Sequence, residues 1–140
     1  MKILLSSADT GGQFSLVEGT MPPGGDGGLH IHLREDESMH LLEGQLEVTI
    51  GEKVFDLKPG ESYFAPRGIP QRLRNPGSVP ARSLTIMSPS TFDKFIACAG
   101  VPVIDGEAPP PTAETPTPEQ MKRSLASARR FGIRILELPG

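Results

Sequence analysis

Only one of the 140 residues is a cysteine, Cys98, so an intrachain disulfide is excluded and the chain suits a reducing compartment. Its reading is a small buried apolar residue near a helix end rather than a nucleophile. Strong charge of either sign is also missing. Fourteen Lys and Arg stand against 17 Asp and Glu, a net charge of −3 that invites neither nucleic acid nor an acidic membrane surface. The densest basic group, Lys122, Arg123, Arg129 and Arg130, falls on an expected helix and reads as a solvated face. No apolar run is long enough to span a bilayer, and the opening MKILLSSAD is too short in apolar residues for a signal-peptide core. The expectation is a cytoplasmic protein of one domain, large enough for a real core.

Glycine and proline are abundant, 16 and 15 residues, and many of them punctuate short runs of alternating apolar residues. Residues 13–19 (QFSLVEG) read as an opening strand before a PPGGDGG loop. HIHL and ESMHLLEG follow as strands. QLEVTIGEKVFDL reads as a hairpin, with Leu46, Val48 and Ile50 on one side and Phe55 and Leu57 answering. SYFAP, QRLRN and ARSLTIMS complete about eight short strands, a pattern that predicts an all-β fold, a small barrel or jelly roll with its core over about 13–88.

Beyond residue 90 the period changes. Ser90 and Asp93 resemble a capping box opening a short helix over about 90–99. A proline-rich arm is expected over 101–118. Thr117, Pro118 and Gln120 then supply an N-cap, a first-turn proline and a capping glutamine, so a helix and a strand are expected over about 118–138, with Gly132 as the stop. A terminal apolar strand needs a sheet edge, either in its own barrel or in a second copy. The expected assembly is a homodimer.

Histidine is scarce too, and two of the three are His30 and His32. In a strand, residues i and i+2 share a face, so both imidazoles leave it in parallel. Glu37 on the returning strand completes two nitrogens and one oxygen, the 2-His-1-carboxylate set of a metal centre with open positions. Two imidazoles and a carboxylate in an apolar interior carry a desolvation cost of roughly several kcal/mol that a divalent cation would offset. The third histidine, His40, falls out of phase with Glu37 and is expected on the outer face.

The residues Gly24, His30, His32, Glu37 and Gly44 resemble the first cupin motif, G-x5-H-x-H-x4-E-x6-G. Gly60, Pro66, Gly68 and Asn75 resemble the second, G-x5-P-x-G-x2-H-x3-N, with Gln71 where the family has its last histidine. The resemblance implies a double-stranded β-helix, the jelly-roll cupin barrel. It also implies one divalent metal (Fe, Mn, Ni, Co or Zn) on His30, His32, Glu37 and the weaker neutral donor Gln71, which would otherwise act as a pocket hydrogen-bonder. Met39, Leu41, Val48, Phe64 and Leu73 are expected to line an apolar pocket, suited to an apolar or aromatic small molecule. Glu35 and Asp36 are expected in a solvent-facing turn.

The tail resembles those of quercetin-dioxygenase-like cupins, which implies a metal-dependent dioxygenase with Glu37 also as base. A non-redox metal-dependent isomerase, cyclase or lyase is the second reading. A non-catalytic binding cupin with a degenerate site is the third.

Overall fold

Alternating polarity sorts residues 1–89 and 117–138, those described by the computed structural model, into ten short strands and one helix. The strands are β1 (Lys2–Leu5), β2 (Ser15–Met21), β3 (Leu29–His32), β4 (Asp36–Glu43), β5 (Leu46–Ile50), β6 (Lys53–Leu57), β7 (Ser62–Ala65), β8 (Gln71–Arg74), β9 (Ala81–Ser88) and β10 (Ile133–Glu137). The helix, α1, is Pro118–Arg130. The expected helix over 90–99, with Cys98, and the arm up to residue 116 lie outside the described residues. No helix among the described residues is long and apolar enough to cross a membrane.

Two five-stranded antiparallel sheets result. The first has the order β1-β2-β9-β4-β7 and the second β10-β3-β8-β5-β6. This is the all-β jelly roll that the strand spacing predicts. Alternate residues of the core strands face inward, so Met39, Leu41, Val48 and Tyr63 pack in one buried cluster and Val17 and Met87 in a second. The conspicuous surprise is β1. Its four residues are all exposed, so no alternation marks it, and it forms as an edge strand by pairing with β2.

Asn75 is architectural. Its side-chain amide donates to the carbonyls of Met21 and Val79, both at 2.9 Å, and its side-chain oxygen accepts from Gly77 N–H at 2.9 Å. Its backbone ties the end of β8 to the PPGGDGG loop, which in turn delivers β3: Gly24 N–H donates to the Asn75 carbonyl at 3.0 Å and Asn75 N–H to the Gly25 carbonyl at 2.9 Å. At the other end of the chain, Thr117 and Gln120 form the reciprocal capping box that their spacing predicts. On α1, Ala128 is buried, whereas Leu125 is exposed. Gly132 ends the helix with φ of +76°, and β10 then runs antiparallel to β3 of its own chain.

Candidate active site

The two histidines and the glutamate come from opposite sheets. β3 lies in the second sheet and β4 in the first, so residues 33–35 carry the chain across the barrel between them. His30 and His32 leave one face of β3 with ring centroids 4.9 Å apart and planes at 81°. The strand is held from both sides: Gly68 N–H donates to the His32 carbonyl, and Leu33 N–H to the Gly132 carbonyl, each at 2.8 Å. The Gly28 carbonyl stands 2.9 Å from His30 Nδ1, which places the proton there and leaves Nε2 with its lone pair. Burial lowers the pKa of both imidazoles. His32 falls to about 3, with the nearby His30 adding to the effect, so both rings are neutral at pH 7.

Glu37 faces inward from β4 and is 5% exposed. The Tyr63 hydroxyl donates to its Oε2 at 2.8 Å. Tyr63 lies opposite Met39 on β7, a diagonal neighbour of Glu37 within reach of a long side chain. Burial pushes the Glu37 carboxyl up to about 7; the neighbouring Glu35 pushes in the same direction, and the Tyr63 bond opposes both. The Tyr63 hydroxyl is itself driven well above its ordinary value by burial and by the Glu37 charge, so it remains a donor.

A cavity of about 250 Å³ between the sheets is lined by His30, His32 and Glu37 together. The rest of its wall is largely apolar, with Val17, Met39, Leu46, Leu73, Ile133 and Ile135, and includes Thr20, Ser83 and Thr85. No arginine or lysine is among these lining residues. The arginines near the motifs are engaged elsewhere: Arg67 pairs with Asp36 at 3.1 Å, and Arg72 pairs with Asp26 and, at 3.0 Å, with Glu137.

Several expectations need correction. Leu41 and Val48 are buried in the hydrophobic cluster and do not line the cavity. Phe64 is 57% exposed, because β7 turns Tyr63 and Ala65 inward and therefore Phe64 outward. Glu35 is buried at 3% exposure instead of facing solvent, whereas Asp36 is half-buried in its ion pair with Arg67. Gln71 pairs with His30 across β3 and β8 and is buried, but it is not among the lining residues. His40 points outward, its Nδ1 2.7 Å from Ser62 Oγ.

The donor chemistry of the imidazole pair suits a divalent ion, since both rings are neutral and His30 Nε2 is left as an acceptor. The full set does not fit one. Among the described residues, no three His, Cys, Asp or Glu side chains stand close enough together to hold a metal ion, and Glu37 is engaged by Tyr63.

Comparison with known proteins places this geometry. The family described as "Cupin domain" matches residues 17–87. The alginate biosynthesis protein AlgA of Pseudomonas putida is 36% identical over 84 residues, 60% of this chain but 17% of that protein. An uncharacterized protein of Methanocaldococcus jannaschii is 32% identical over 75 residues, 54% of this chain and 60% of its own length. The chain thus spans less than two thirds of these relatives. Among solved structures, a predicted oxalate decarboxylase from Thermotoga maritima aligns with a TM-score of 0.59 at 25% identity, covering 61% of this chain and 76% of the other. The structure of KdgF from Halomonas sp. aligns with a TM-score of 0.60 at 22% identity, covering 66% and 80%.

Proposed function

Because the chain belongs to the Cupin domain family, whose barrel encloses the cavity described above, we propose that it is a non-redox small-molecule enzyme, an isomerase, cyclase or lyase, in which Glu37 moves a proton on an uncharged, largely apolar substrate. One observation carries the reading: a buried carboxyl, held by the Tyr63 hydroxyl, shares an apolar cavity with two neutral imidazoles from the opposite sheet. A carboxyl poised near neutral pH suits general acid–base catalysis, where efficiency is greatest when the pKa lies near the working pH. Thr20, Ser83 and Thr85 are the hydroxyl-bearing residues of the lining, which suit a substrate with a carbonyl or hydroxyl to hydrogen-bond.

The curated relatives carry names from polysaccharide and sugar-nucleotide biosynthesis, such as AlgA and mannose-1-phosphate guanylyltransferase. A phosphorylated sugar is the less favoured ligand, because no arginine or lysine is among the described residues that line the cavity to receive the anion. The dioxygenase reading is supported only by the resemblance of the motifs and of the tail. A divalent metal on His30, His32, Glu37 and Gln71, the expectation from the motifs, is not carried into this proposal, because those side chains are not brought together as one ligand set among the described residues.

Solvent-deuterium uptake into a panel of uncharged enolisable ketones, followed by proton NMR, tests the reading. Wild type is expected to exchange or isomerise a panel member equally well with and without dioxygen. Glu37→Gln is expected to lose about 10²–10⁴-fold of that rate. Oxygen-dependent turnover would overturn the reading in favour of a dioxygenase, and ligand binding without exchange in favour of a binding module.

Assembly as a homodimer is part of the same proposal. Its support is an outward row of neutral side chains across the first sheet, Leu16, Ile86, Ser38 and Phe64, joined strand to strand. Light scattering is expected to give twice the chain mass, and the mass of one chain would contradict it.

A further inference from the structure

The family match ends at residue 87, yet two residues that line the cavity, Ile133 and Ile135, come from beyond it. β10 lies at the edge of the second sheet, beside the strand that bears the histidines. Its register is Ile133 opposite His32 and Ile135 opposite His30. Paired residues of neighbouring strands share a face, so the two isoleucines flank the two imidazoles on the inner side. Both line the cavity, while Arg134 between them is exposed on the outer side.

The strand is anchored independently of any ligand. The Glu137 carboxylate accepts from Arg72 Nη1 at 3.0 Å, and the Gly132 carbonyl accepts from Leu33 N–H at 2.8 Å. Ile133 packs with Val17, Met87 and Ala128 of α1, which fixes the height of the strand against the barrel. Ile135 is the less buried of the pair, packed against that same cluster.

We propose that β10 is the specificity wall of this site, and that Ile133 and Ile135 set the size and apolar character of the ligand held beside His30 and His32. This rests on the reading of the cavity as a site for an uncharged apolar molecule, but not on the reaction that follows binding. The physical basis is direct: β-branched side chains are stiff at χ1, so the wall does not fold aside for a larger ligand. Removing or adding methylenes in a closed apolar pocket changes discrimination by roughly 10–200-fold.

The test uses the full chain and the neutral fluorophore N-phenyl-1-naphthylamine, displaced by naphthalene or by the larger phenanthrene. Ile135→Trp is expected to weaken fluorophore binding by about tenfold or more, and Ile135→Ala to shift the displacement ratio toward phenanthrene by about tenfold. Leu136→Ala, on the outward side of the same strand, is expected to change neither. Circular dichroism and thermal unfolding confirm that each variant is folded; if Ile133→Ala fails that check, the Ile135 pair decides alone. Wild-type binding with an unchanged ratio in folded Ile135 variants would overturn the specificity wall and leave the cavity reading standing. Failure of wild type to bind any of the three compounds would overturn both.

Discussion

In urea unfolding of metal-free protein, the stability of Glu37→Gln relative to wild type is expected to improve by about 3 kcal/mol between pH 4 and pH 8. The sign follows from the direction of the shift. Burial raises the folded-state pKa of Glu37 from 4.5 to about 7, so the native state favours the protonated acid. Its contribution is fully present below the unfolded value of 4.5 and is lost as pH rises through 7. Glutamine keeps the acceptor for the Tyr63 hydroxyl but has no proton to lose, so that loss disappears. The histidines work in the opposite sense. Their lowered pKa values favour neutral rings in the native state, and their contribution is lost as pH falls below 6.5 toward the folded value of about 3 for His32. Both proteins share that acid limb, so the difference between them isolates Glu37. A difference that stays flat with pH would show that the carboxyl is solvated in the native state. The same substitution is expected to remove the activity, which would place this residue among those where function is held at a cost to stability.

The second large effect is architectural. Gly44→Ala is expected to destabilise the protein by about 2–5 kcal/mol, combining left-handed strain with forced overpacking. Gly44 has φ of +83°, and a Cβ there would stand 2.6 Å from the Pro80 carbonyl oxygen and 2.7 Å from the Ala81 Cα. Both obstacles are backbone, which cannot swing aside. Gly60 is the natural comparison: its φ is +88°, but nothing lies within 4 Å of a Cβ there. Gly60→Ala is therefore expected to cost only the conformational part, about 1–2 kcal/mol. Equal losses at the two positions, measured by urea unfolding, would show that the close approach at Pro80 contributes nothing.

The contrast bears on what could be read from the residues alone. The i, i+2 parity of His30 and His32 and the return of Glu37 on the next strand are local, so one cavity holding all three was within reach of the sequence. The identity of the fourth partner was not. Tyr63 meets Glu37 through the register of β4 on β7, a long-range pairing that no local pattern encodes, and a one-residue error in parity puts Phe64 in its place. The burial of Glu35 escaped for a similar reason, since a charged triplet reads as a turn until the crossing between sheets is seen.

The terminal strand was visible as an apolar run in need of an edge, but which edge it takes is decided by packing. Ala128 and Ile133 meet Val17 and Met87 more than 40 residues away in sequence, and that contact brings Ile133 and Ile135 to the histidines. β1 was missed because an exposed edge strand carries no alternation to read.

Glu37 is a buried acid in an apolar cavity, and its ionisation can be observed without knowing the substrate. Carbon-13 NMR of protein labelled at the glutamate side-chain carboxyl, titrated from pH 3 to pH 9 beside Glu37→Gln, reads it directly. The expected result is one glutamate resonance, absent in the variant, that titrates near pH 7. If the resonance lost in the variant titrates with the ordinary carboxylates, near 4.5 or below, Glu37 is solvated or held as a charged partner, and the proton-transfer mechanism is wrong.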